Sequence, residues 1–170
     1  MLCMITINHY FGTDGVMPFI NMAKANDKGV YILVKTSNKS SHEIQDSALR
    51  NGSTVFEDVA TYTELWGENL IGDSNYSLVG AVVGATYPEQ AAILRAKHPK
   101  TPFLVPGYGS QGATANDVAM NFSEDGLGAL VNASSSIVYA YKKGNTEDYV
   151  TAAAQETLKM RDAINAVLFS

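Results

Sequence analysis

Cysteine is almost absent from this 170-residue chain: Cys3 stands alone, so an internal disulfide is impossible, and a reducing, cytoplasmic setting is the expectation. Basic residues are in deficit as well, with 12 Lys and Arg against 17 Asp and Glu, a net charge of −5 and a pI near 5.1. Nucleic acid and anionic membranes both call for a concentrated basic surface, whereas these lysines are scattered and only Lys142 and Lys143 adjoin. Neither class of partner is expected. No apolar run approaches the roughly 18 residues that a membrane span requires. The opening MLCMITINHY has no Lys or Arg and too short an apolar stretch for an export signal, so a soluble protein is the reading. Zinc-type ligand patterns are missing too: there is no CxxC, and His9, His42 and His98 lie too far apart for an i, i+4 pair. What is present is an ordinary globular composition, 46% hydrophobic and 17% charged, in a length suited to one domain spanning residues 1–170. A chain of about 150 residues hides about 70% of its unfolded surface, so no staple is needed for a core.

Five short β-rich runs stand out: Met4 to Asn8, Val30 to Lys35, Leu78 to Gly84, Phe103 to Val105 and Leu127 to Asn132. Each is nearly continuous in hydrophobicity, the pattern of parallel strands buried on both faces. Helical segments alternate with them at Gly15 to Ala25, Val55 to Leu70, Pro88 to Lys97, Thr114 to Asn121 and Glu147 to Leu168. In the last, Tyr149, Ala152, Ala153, Leu158, Ile164 and Val167 make a loose apolar stripe, read as a helix docked on a sheet. The Tyr62 and Trp66 pair is read the same way.

This alternation implies a parallel α/β sheet, either an open doubly wound one or part of a (β/α)₈ barrel. Strand centres near Thr6, Ile32, Val82, Leu104 and Leu130 are spaced by 26, 50, 22 and 26 residues, so one interval carries an extra excursion. A full barrel takes about 250 residues, roughly 31 per unit, which leaves room here for five units.

Ligands of such folds bind at the carboxyl ends of the strands. Those ends are polar here: Asn8-His9, Lys35-Thr36-Ser37-Asn38, Thr86, Pro106-Gly107-Tyr108-Gly109-Ser110-Gln111-Gly112, and Asn132-Ala133-Ser134-Ser135-Ser136. The last two resemble a phosphate cradle. Glycines 107, 109 and 112 permit close backbone approach, and the serines open a short helix through Ile137 to Tyr141 whose N-terminus favours an anion. Each has a plain alternative, a tight turn for the glycines and an N-cap for the serines. The GYGSQG spacing is neither a Walker A motif nor a dinucleotide fingerprint. Lys35 at a strand end reads either as an ion-pair partner or as the Schiff-base lysine of a barrel aldolase.

On these residues the chain resembles the orotidine 5′-phosphate decarboxylase family, in its longer bacterial subgroup. The resemblance runs through TINHYFG (6–12), LVKTSN with the following serines (33–41), VATYTELWG (59–67), VGAVVGATYPEQ (79–90), FLVPGYGSQG (103–112) with Asp117 beyond, and GALVNASSSIVYA (128–140). It implies a TIM barrel of which these are strands four to eight, and decarboxylation of orotidine monophosphate to UMP without metal or organic cofactor. It further implies a homodimer with the sites at its interface, in de novo pyrimidine biosynthesis. Thr36 and Ser37 would face the pyrimidine ring, and Pro106 would contact it. Gln111 with Gly107, Gly109 and Gly112 would hold the phosphate, completed by Ser134, Ser135 and Ser136.

Two departures accompany the resemblance. The family's D-x-K-x-x-D catalytic element belongs to the third strand, and this sequence contains no D-x-K, so no catalytic residue is assigned within it. Where family members usually read N-S-S-R-S-I, this chain reads Asn132-Ala133-Ser134-Ser135-Ser136-Ile137, with Ser135 in the arginine's position. A bidentate cation on a phosphate is among the stronger charge-assisted contacts, so its loss leaves a weaker site. The resulting expectation is an N-terminally truncated decarboxylase without turnover of its own. The alternative is a non-catalytic phosphonucleotide-binding remnant, or a half-barrel that pairs with a separate N-terminal chain.

Overall fold

The computed structural model describes residues 3–109, 111–144 and 146–169. Its elements run β1 (Met4–Ile7), α1 (Thr13–Ala25), β2 (Gly29–Lys35), a 3₁₀ turn (Lys39–Ser41), α2 (His42–Gln45), α3 (Val55–Gly67) and β3 (Val79–Val83). They continue with α4 (Pro88–Lys97), β4 (Phe103–Pro106), α5 (Ala115–Ala119), β5 (Ala129–Asn132), α6 (Ser134–Val138), α7 (Ala140–Lys143) and α8 (Tyr149–Leu168). The five strands form one parallel sheet in the order β1-β2-β3-β4-β5. A doubly wound sheet reverses its strand order at a switch point, and this one does not. Strands laid side by side in chain order are those of a (β/α) barrel, so the sheet is a partial barrel and the open-sheet alternative falls.

Side chains alternate across each strand, and the helices cover one face. Val30, Ile32 and Val34 of β2, Val79, Ala81 and Val83 of β3, and Phe103 and Val105 of β4 pack there against Val16 and Ile20 of α1, Phe56 and Val59 of α3, and Leu94 of α4. Each of these side chains other than Ala81 contributes about 1.5–3 kcal/mol by leaving water. The expectation of strands buried on both faces holds for β2 and β3 but not for β1 and β5, which are largely half-exposed. The physical reason is position: an outer strand has a strand neighbour on one side only.

Local signals account for the helix starts. Thr54 and Glu57 form a capping box at α3, the Thr54 N–H and hydroxyl both donating to Glu57 Oε2 at 3.0 and 2.9 Å. Pro88 occupies the first turn of α4. The short helix expected through Tyr141 is in fact two, α6 and α7, broken at Tyr139. The α8 stripe is only partly realised: Ile164 is buried, Tyr149 and Leu158 stay exposed, and the helix rests on α5, α6 and α7. Tyr62 stacks on Trp66 at 5.8 Å, and the Trp66 indole donates to Thr13 Oγ1, tying α3 to α1.

Glu57 also binds Lys97 at 2.7 Å, joining α3 to α4. Lys97 first, and then the Thr54 donors, hold its carboxyl at about 2, below the ordinary 4.5. A depressed folded-state value means that the stabilisation is complete above pH 4.5 and drains away as the pH falls toward 2. Glu57→Gln keeps an acceptor for the capping box but not the charge. Between these pH values the wild-type thermal midpoint is expected to fall more steeply than that of the variant, and parallel profiles would contradict the linkage.

Candidate functional site

The carboxyl ends of β2, β3 and β4 converge. Ser37, just past β2, accepts a hydrogen bond on its carbonyl from Thr86 Oγ1 at 3.1 Å. Gly84, just past β3, lies so close to Ser37 that a Cβ on it would meet the Ser37 backbone at 2.8 Å. Only a residue without a side chain lets these two strand ends approach this way. From the β4 side, a Cβ on Gly107 would stand 3.3 Å from Ser37 Cβ, 3.4 Å from Thr86 Cγ2 and 3.5 Å from Gln111 Oε1. Four residues from three strand ends therefore border one small region. Gly109 brings in the fifth strand, its Cβ position lying 3.7 Å from Ser136 Oγ. The two loops that the sequence paired as a cradle are neighbours in space.

The donors within the cradle are more restricted than a glycine count implies. Gly107, Gly109 and Gly112 all have positive φ, at 111°, 73° and 95°. However, the Gly109 N–H donates to the Ala113 carbonyl at 2.9 Å and the Gly112 N–H to the Gly109 carbonyl at 3.0 Å. These two glycines give the loop its shape while their own N–H groups are spent inside it. The Gln111 side chain is exposed, with Oε1 beside Gly107, and Ser110 lies outside the described residues.

The serine run proves not to be an N-cap. Ala133, which has no side-chain oxygen, caps α6, and Ser134, Ser135 and Ser136 form its first turn. Ser134 and Ser135 are exposed and Ser136 is half-buried, so three hydroxyls stand where the N-cap alternative would have consumed one. Asn132, just before them, has a buried Oδ1 with no hydrogen-bond partner.

Behind this rim lies a framework that the sequence did not disclose. Lys35 is fully buried, with Nζ 2.7 Å from Asp46 Oδ1, 4.4 Å from the centre of the Tyr87 ring and 5.6 Å from that of Phe56. Gln90 Nε2 donates to the same Asp46 oxygen at 3.3 Å. An amine with no accessible surface cannot meet a carbonyl substrate, so Lys35 is the ion-pair partner and the aldolase alternative fails. Gln45 clamps Thr36 twice, accepting from its N–H at 3.0 Å and donating to its Oγ1 at 2.8 Å. Thr36 Oγ1 in turn donates to Asn38 at 2.7 Å. Asp46 and Gln45 belong to the excursion after β2, where the sequence pattern signals no helix and the structure has α2. The 50-residue strand spacing was its one visible trace.

Pro106, half-buried, ends β4 opposite Asn132 of β5. His9, after β1, is half-buried with Nδ1 unpartnered, and burial pushes its pKa below the ordinary value, against a smaller opposing effect of the Leu33 backbone. Among the described residues no three His, Cys, Asp or Glu side chains stand close enough to hold a metal ion, and no helix is long and apolar enough to cross a membrane. Chemically, the rim offers neutral hydrogen-bond donors and acceptors around a small polar region.

The family model described as "Orotidine 5'-phosphate decarboxylase / HUMPS family" matches residues 2–149. An orotidine 5′-phosphate decarboxylase of Clostridium perfringens is 39% identical over 165 residues, covering 96% of this chain and 57% of its own length. One from Caldicellulosiruptor bescii is 41% identical over 164 residues, covering 96% and 53%. Among solved structures, the OMP decarboxylase of Leishmania donovani superposes with a TM-score of 0.74 at 32% identity, covering 99% of this chain and 58% of its own. The UMP synthase of the same organism gives 0.75 at 34% identity, covering 99% and 34%. The chain thus spans a little over half the length of the curated relatives it matches.

Proposed function

Because the chain belongs to the orotidine 5′-phosphate decarboxylase / HUMPS family, we propose that it supplies the pyrimidine- and phosphate-binding part of an enzyme converting orotidine 5′-monophosphate to UMP and CO₂. The observation that supports this reading is that Gly107 stands beside Ser37 and Gln111 while Gly109 stands beside Ser136, so that the ring subsite proposed here would adjoin the proposed anion subsite. Thr36, held by Gln45, and Ser37 address the pyrimidine, and Pro106 offers it an apolar surface. Gln111 and the hydroxyls of Ser134, Ser135 and Ser136 address the phosphate, with Gly107, Gly109 and Gly112 shaping the loop. In such an enzyme, binding energy gathered at a remote phosphate is spent at the reacting carbon, where a preorganised charge array expels the carboxylate. The 170 residues contain no D-x-K to build that array, which favours binding without turnover. We further propose cytoplasmic de novo pyrimidine synthesis as the setting and a pair of subunits as the working form.

Calorimetric titration with UMP and with uridine tests the anion subsite. A phosphate held by neutral donors adds about 1.5 kcal/mol, so UMP is expected to bind about tenfold more tightly than uridine. Equal affinities, or no affinity for either, would remove the reading.

A further inference from the structure

A cavity of about 410 Å³ lies between the loop after β1 and helix α3. Its lining comes from successive elements of this chain, β1 to α3, and its volume falls within the roughly 300–1,000 Å³ of small-molecule sites. One wall is aromatic: Tyr62 and Trp66 line it as a stacked pair, with ring centres 5.8 Å apart. The Trp66 indole N–H is spent on Thr13 Oγ1 at 3.1 Å, so what that side chain still offers is its π face. The stack and the hydrogen bond fix both rings before any occupant arrives. Leu49 and Val55 add an apolar surface. Among the described residues, Asp58 is the one formal charge on the lining, because no Lys or Arg contributes and burial disfavours the protonated form of His9. Asp58 Oδ1 accepts from Ser53 Oγ at 2.8 Å and from Asn51 Nδ2 at 3.2 Å, which hold the carboxylate in place. Among the described residues nothing donates to its Oδ2, and no cation pairs with it.

We propose that this cavity binds a small organic ammonium ion, its N–H groups donating to the Asp58 carboxylate and its apolar body lying against Tyr62, Trp66 and Val55. Charge complementarity selects this class. An anion would meet Asp58 with no cation to offset it, and a neutral ligand would leave the carboxylate unmatched. A metal ion needs more ligands than one carboxylate supplies, and among the described residues no three His, Cys, Asp or Glu stand together. An ammonium group gains from both features of the lining, from the negative faces of the rings and from a charge-assisted hydrogen bond. The cavity shares no residue with the ring and anion subsites proposed above, so its ligand neither supports nor needs the decarboxylase reading.

Trp66 is the chain's single tryptophan, so its fluorescence reports on this cavity directly. Titration of the full chain with phenethylammonium and with its neutral isostere 2-phenylethanol is expected to give saturable emission changes, the ammonium binding about tenfold more tightly. Asp58→Asn keeps an acceptor for Ser53 and Asn51, and it is expected to bring the two affinities within about twofold of each other. Asp73→Asn removes the same charge from an exposed position outside the cavity and is expected to leave the gap intact. Raising the salt from about 0.02 M to about 0.5 M is expected to narrow the gap in the unsubstituted chain, which tests the charge without any variant. Equal affinities for ammonium and alcohol, a gap that survives Asp58→Asn, or no saturable change in emission would overturn the proposal. So would binding that disappears as rising protein concentration drives self-association, because a second copy of the chain would then be the occupant.

Discussion

Replacing Arg95 by methionine is expected to cost about 3–5 kcal/mol of stability, a large share of the roughly 5–15 kcal/mol that holds a domain together. Arg95 projects from α4 into the protein and is 7% exposed. Its guanidinium donates to five backbone carbonyls: Asn121 from Nε at 2.9 Å, His98, Pro99 and Thr101 from Nη1 at 3.0, 3.3 and 3.0 Å, and Gly128 from Nη2 at 3.0 Å. The Phe103 ring lies 3.7 Å beneath it. One side chain thus ties the end of α4, the entry to β4 and the loops flanking α5 and β5. Burial lowers its pKa to about 10, so it stays charged at neutral pH. Methionine would fill part of the volume but strand those acceptors, each worth about 1–3 kcal/mol when buried and unpaired. The thermal midpoint should drop by about 6–20 °C. Lysine keeps the charge yet lacks the planar fork, so Arg95→Lys is expected to recover only part of the loss. Arg161, exposed and paired with its neighbour Asp162, provides the control. Its replacement by methionine is expected to stay within about 0.5 kcal/mol. A loss below about 1 kcal/mol for Arg95→Met would refute the five-carbonyl account.

Nothing local in the sequence marks Arg95 as buried. An arginine in the last turn of a helix reads as a surface cation, and its partners come from three separate segments. The same limit hid Asp46 and Gln45: α2 is only four residues long, too short to signal itself by periodicity. It is held by tertiary contacts to Lys35 and Thr36. By contrast, the central strands were legible because burial on both faces forces continuous hydrophobicity. The start of α4 was legible because proline is favoured in the first turn of a helix, where Pro88 sits. At the site, residue types and order in the chain sufficed to pair the glycine loop with the serine run. The sequence could not disclose that Gly109 and Gly112 spend their N–H groups within the loop, or that Ala133 takes the capping position and leaves the serines uncommitted.

The largest effect concerns catalysis. Enzymes turn over at about 1–10³ per second, and the decarboxylation proposed here depends on a charge array that expels the substrate carboxylate. The framework around the site spends its charges structurally: Lys35 is closed off against Asp46 and two aromatic rings, and the rim near Ser37, Gln111 and Ser136 is neutral. Such a rim offers neutral hydrogen-bonding groups and, among the described residues, no accessible pair of Asp and Lys. The account therefore separates binding from chemistry within these 170 residues. The most direct test is UMP formation by the purified chain at saturating orotidine 5′-monophosphate, with no other polypeptide added. The account predicts a rate no different from the uncatalysed one, and turnover of about 1 per second or more would contradict it.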